Sequence, residues 1–209
     1  MLSTLVVLVA LAIGVDIAAR VIAQDRIASR AKASTRAQSA SASISSFPFL
    51  YDILVDGSAR NVAVHARGVP LGPLIVHQVD VSVHDVQIDK GELFNHRKVR
   101  VTAIASATAA VTITASDLTA ATNVPVTISG NTITATVAGV QIPVTVSVTN
   151  SHFLAFNVVG RRVVNFDLAR TPLLPACSMQ MTTVQSALHL SCTIAPVPAS
   201  LISALSSSR

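Results

Sequence analysis

The chain has 209 residues and a net charge of +5, with 51% hydrophobic, 12% charged and 3% aromatic residues. The length suits one domain of ordinary size plus an N-terminal appendage. The charged share is about half that of an ordinary soluble domain and mean hydropathy is +0.60, so the chain buries a large core, lines an apolar cavity or sits against a membrane. The basic excess is scattered, with no Trp and one Tyr. A nucleic-acid binder wants a dense cationic stripe and stacking platforms, and both are missing. A mild positive charge suits an anionic lipid surface, and it equally suits plain solubility.

Residues Leu2–Val15 read LSTLVVLVALAIGV, without a charge; Asp16 and Arg20 then interrupt. A spanning helix needs roughly 20 apolar residues and a signal-peptide core roughly 7–15, so residues 1–15 are expected to form a hydrophobic signal or anchor segment. Whether it is cleaved or retained stays open. No Cys follows it, which excludes a bacterial lipoprotein anchor. An amphipathic helix is expected over 16–32. Ile17, Val21, Ala28 and Ala31 recur at helical spacing, and Arg20, Asp25, Arg26, Arg30 and Lys32 form the polar part. Residues 33–46 are small and polar, read as a frayed end or linker.

From Phe47 to the end, 47–209 reads as a β-rich body of the single domain 16–209. Val62 and Val64 open one strand, and Val79, Val81 and Val83 share a face of the next. The phase then flips to Val86 and Ile88, which predicts a bulge near His84-Asp85. Val99 with Val101, and Val111 with Ile113, continue the alternation. Val126 and Ile128 lead through Ser129-Gly130-Asn131-Thr132 to Ile133 and Ala135, a hairpin. Residues 140–148 alternate too, with Pro143 marking an edge or bulged position. Further strands are expected over 152–159, 162–168, 178–184 and 187–194. Ser116–Ala121 reads as a helical turn capped by Ser116, and Leu201–Leu205 as a short final helix.

No nucleophile elbow, zincin, P-loop or dinucleotide fingerprint occurs. The six histidines lack zinc spacing, so no metal or other cofactor is expected. Asp80, Asp85 and Asp89 are the sole candidate acid/base group, and solvated strand faces explain them more simply. No enzymatic activity is expected, and no catalytic residue is assigned. His96-Arg97-Lys98-Val99-Arg100 is the densest basic patch. Arg97, Lys98 and Arg100 are the candidates to meet a phosphate head group; a solvated turn is the other reading. Cys177 and Cys192 form a natural disulfide pair if the chain is exported, and two buried thiols otherwise.

Residues Ser46–Gly57, SFPFLYDILVDG, concentrate apolar bulk in Phe47, Phe49, Leu50, Ile53 and Leu54. They read as an anchor, either a core plug or a lip exposed to lipid. Here the chain resembles the LmeA-like family of actinobacterial envelope proteins. The resemblance runs through the apolar leader ending in Asp16 and the V-I-A-Q-D-R-I-A helix (Val21–Ala28). It continues through F-P-F-L-x-x-x-L-x-x-G (Phe47–Gly57), the Val62/Val64 strand, the Ser116-Asp117-Leu118 step and Leu174-Pro175. It covers nearly the whole chain, with Asp25 standing where Glu is expected.

That resemblance implies an α+β fold, a curved antiparallel β-sheet wrapped around a long N-terminal amphipathic helix, as in the tubular lipid-binding superfamily. It implies phospholipid binding in the periplasm or cell envelope. One member is linked to mannan elongation in lipoglycan biosynthesis, on carriers built from phosphatidylinositol. The expected partner is therefore a phospholipid or membrane surface, with no nucleic acid and with any envelope glycosyltransferase partner unknown. Acyl chains are expected near Val21, Phe47, Phe49, Leu50, Ile53 and Leu54. The competing class is a structural or adhesion-type β-rich envelope protein with a closed core.

Overall fold

The computed structural model describes residues 2–96, 98–149, 153–158, 161–167, 177–184 and 186–207, with backbone alone for 2–10, 149, 153–154, 158, 161–167 and 204–207. Helix α1 (Leu2–Thr35, 34 residues) is continuous across the change from apolar run to amphipathic segment. It contains no proline, and nothing within 4 Å crowds its one glycine, Gly14. Its length is about 50 Å at 1.5 Å per residue. Its middle and C-terminal parts lie against α2 (Phe49–Tyr51), β1 (Ser39–Ile44) and β2 (Ser58–Leu71).

The face of α1 that packs is not the one the apolar pattern suggests. Asp16, Ala31 and Thr35 are buried, whereas Ile17, Val21 and Ile22 are exposed. Small side chains such as Ala31 and Thr35 allow α1 to approach the sheet closely, while Ile17, Val21 and Ile22 are left outside. Among the described residues, no helix is long and apolar enough to cross a membrane.

The stretch expected to be a linker contains strand β1. Its sequence SASASI alternates, but the inward positions are mostly alanine, so the signal is weak. It pairs antiparallel with β2, from Ser39 opposite Arg67 to Ile44 opposite Val62. The larger sheet runs β1-β2-β3-β4-β11-β10, with β3 Leu74–Ile88, β4 Val101–Thr114, β10 Gln180–Val184 and β11 Ala187–Ile194. The smaller runs β5-β6-β7-β8-β9 (Val126–Ser129, Thr132–Val137, Val140–Thr149, Phe153–Val158 and Arg161–Asp167). Every pairing is antiparallel. The fold is α+β, a long helix with antiparallel sheets that do not close into a barrel.

The main core lies between the two sheets. Val69, Leu74, Val76, Val79, Val111 and Ile113 of the larger sheet meet Ile128, Ile133, Val146 and Phe156 of the smaller. Leu118 of α4 (Ala115–Thr122) plugs one side of it. A second, smaller core gathers Ala59, Val86 and Ile104 at the other end of the larger sheet, under Ile202 of α5 (Ala199–Ser207).

Local expectations are refined at several points. Asp85 adopts φ 51°, which flips the side-chain phase, but the register irregularity with β4 falls between Gln87 and Ile88 rather than at His84-Asp85. Pro143 lies on β7, inside the smaller sheet, where it pairs with Thr134. The cap of α4 is Thr114, not Ser116. Thr114 Oγ1 accepts from Asp117 N–H and the Asp117 carboxylate accepts from Thr114 N–H, a reciprocal box. A helix α3 (Lys90–His96) occupies a stretch to which the sequence pattern assigns no element. Val99 lies before β4, which starts at Val101.

Candidate functional site

The aromatic-rich segment 46–57 is held at both ends. Ser46 is fully buried, and its hydroxyl accepts from the Arg60 N–H at 3.0 Å. Gly57 ends the helical stretch with φ 66°, a conformation a side chain resists, and a Cβ there would press on Lys90 and on the Ile88 carbonyl. Between them α2 runs into a π-helical turn, Asp52–Asp56.

The start of this short helix is capped from a distance. Its first N–H groups have no partners within the helix. Asp16, 5% exposed, supplies them: Oδ2 accepts from Phe49 N–H at 3.0 Å and Oδ1 from Leu50 N–H at 2.6 Å. A carboxylate is also favoured at a helix N-terminus by the peptide dipoles. Asp16 thus clamps the segment to α1. The signal for it in the sequence was a lone acid breaking an otherwise uncharged helical run. Asp52, also buried, faces the Arg60 guanidinium across 3.5 Å.

The clamped segment has two faces. Phe49 is buried and Ile53 packs on the smaller core. Phe47, Tyr51, Leu54 and Val55, at helical spacing, are exposed. Between them and α1 lies a groove of about 550 Å³, lined almost wholly by apolar atoms of Leu11, Ile13, Val15, Phe47, Leu50 and Tyr51. Of the residues expected to line a lipid site, Phe47 and Leu50 border this groove. Phe49 and Ile53 turn inward, Leu54 lies on the outer row, and Val21 sits further along α1, exposed. The part of α1 that borders the groove is 11–16.

The head-group candidates lie at the same end of the larger sheet. Ile88 N–H donates to the Gly57 carbonyl and Asp89 N–H to the Arg100 carbonyl, so the start of β2, the end of β3 and the approach to β4 are neighbours. Lys98 and Arg100 are exposed there; Arg97 lies outside the described residues. Arg100 borders a second, more polar cleft of about 350 Å³ with Asp89, Thr102, Ile202 and Ser203. Lys90 Nζ donates to the Val55 carbonyl at 2.9 Å, placing a further cation beside the segment.

A family model described as LmeA-like phospholipid-binding matches residues 14–208. The chain belongs to this family. No curated relative and no solved structure matches it. In this LmeA-like protein the match begins two residues before Asp16, so the clamp, the 46–57 segment and both sheets fall within the family's span.

The remaining candidates have separate places. Asp80 pairs with His65 Nδ1 at 2.6 Å across β2 and β3, and accepts from Gln78. Asp89 Oδ1 accepts from the Glu92 N–H in the first turn of α3. Asp85 occupies the phase flip between them. The three carboxylates thus have different neighbours along β3 and its end. Cys177 and Cys192 form a disulfide pair, with Cα atoms 6.0 Å apart and Cys192 in the main core.

Proposed function

We propose that this LmeA-like protein binds phospholipid in the cell envelope without catalysis. It reaches the envelope by export on its N-terminal apolar run. One acyl chain lies in the groove between α1 and Phe47–Tyr51, and the phosphate is met by the basic end of the larger sheet, with Lys98 and Arg100. The observation that carries this reading is an apolar groove outside the main core, in a member of a phospholipid-binding family. Its volume falls in the range of about 300–1,000 Å³ typical of small-molecule sites. Each buried CH₂ contributes roughly 0.8 kcal/mol, so part of one acyl chain gives useful affinity.

The lipid class we favour is phosphatidylinositol-type, supplied to lipoglycan mannan elongation alongside an envelope glycosyltransferase. The family resemblance supports that choice. Native mass spectrometry after gentle purification tests the binding. Phospholipid adducts that exchange with added vesicles are expected; a chain that is always lipid-free and takes up none contradicts the reading.

A closed-core structural protein is the second reading, favoured by the buried apolar side chains that meet between the sheets. An apolar fluorescent probe separates the two. It brightens if the groove binds ligand, and this gain is lost in Leu50→Asp; a filled protein leaves it dark.

A further inference from the structure

Among the described residues, most of the exposed large apolar side chains lie on α1 and the 47–55 segment, with Phe94, Val99, Val140 and a few others scattered elsewhere. Leu11, Val15 and Ile22 are four and seven residues apart, on one row of α1, and all are exposed. Val15 is 58% exposed and Val55 51%. The row adjoins the outer face of the clamped segment, because Leu11 and Val15 share the groove with Phe47 and Tyr51. Asp16 fixes the two elements against each other through the Phe49 and Leu50 amides. A soluble surface rarely carries so much contiguous apolar area without a partner.

The geometry points to this two-element face as the surface by which the protein docks on an anionic phospholipid bilayer. Three observations select a bilayer. The helix that carries the row is continuous with the charge-free run Leu2–Val15, so the exposed strip extends an apolar rod. Lys90 touches the face by bonding the Val55 carbonyl, and Lys98 and Arg100 stand exposed at the neighbouring end of the sheet, interspersed with Asp56, Asp89 and Glu92. The net charge of +5 has the sign that anionic head groups attract. Docked this way, the groove opens at the membrane surface, where a lipid passes between bilayer and protein with little exposure to water. The inference rests on the phospholipid reading for the class of partner, and adds where and how the protein meets the membrane.

The chain contains no tryptophan, so one introduced indole reports alone. Ile22 and Val55 lie on the face but outside the groove lining, and Val140, 62% exposed beside the β6–β7 turn, lies elsewhere. Full-length I22W, V55W and V140W are mixed with phosphatidylglycerol–phosphatidylcholine vesicles whose acyl chains carry bromine. Docking predicts blue-shifted emission and at least twofold quenching for I22W and V55W, with V140W unchanged. Unquenched V55W overturns the proposal. So does a V55W blue shift that grows with protein concentration without lipid, which assigns the face to a second copy. Native mass spectra of the same samples keep the two readings apart. Bound lipid with unquenched V55W removes docking alone; quenched V55W without bound lipid supports docking and removes the groove reading.

Discussion

Asp16 joins two elements that are far apart in the chain. It is buried, it contacts two backbone amides more than thirty residues away, and it holds Phe49 and Leu50 in place. Hydrogen bonds to a charged group contribute about 1.5–3 kcal/mol, and leaving the amides unmade adds a desolvation cost. Asp16→Ala is expected to lower stability by about 2 kcal/mol in urea denaturation and to weaken phospholipid retention. Asp16→Asn keeps one acceptor and should lose less. Gly57→Ala is expected to cost more than about 1 kcal/mol, because φ 66° is strained for alanine and its Cβ meets Lys90. A variant as stable as the parent would show that the segment does not need this turn. Gly57 as the end of the segment was legible from its place after an apolar run. The clamp was not, because a helix cap supplied from another helix leaves no local pattern.

At the scale of elements, period-two alternation marked most strands, since valine and isoleucine alternate with Thr, Ser and Ala through β3–β7. The pattern failed where side chains were small or the element was short. Strand β1 alternates serine with alanine, and α3 has seven residues with none buried. The α4 cap was placed two residues late because Ser116 and Thr114 are equally good cap residues; the Asp117 carboxylate decides it by reaching the Thr114 amide. Thr114→Ala should cost about 1 kcal/mol. Leu118→Ala, which empties the plug beneath α4, should cost about 2–5 kcal/mol. If calorimetry gives these two variants equal losses, α4 is not anchored in the main core. The Cys177–Cys192 bridge closes a loop with a sequence separation of 15. In the chain-entropy model such a loop contributes about 3 kcal/mol. Reduction should lower the unfolding midpoint accordingly, and two thiols titrating in the untreated protein would refute the bridge.

For the whole molecule, the sequence made an α+β fold with a long helix legible, but not the division into two sheets. That division depends on β11 returning to pair with β4, Ala187 opposite Thr114, a contact local periodicity does not encode. The same limit hid the groove: the apolar segment was visible as an anchor, whereas its partner surface turned out to be α1 residues 11–16. The helix buries Ala31 and Thr35 and leaves Ile17, Val21 and Ile22 exposed. The most direct test is photo-crosslinking of the full chain with a phospholipid carrying a diazirine on its acyl chain, followed by peptide mapping. Lipid in the groove predicts label on the peptides containing Leu11–Asp16 and Phe47–Tyr51. Label confined to the strands of the smaller sheet, or none above the level of a bare diazirine, would contradict it.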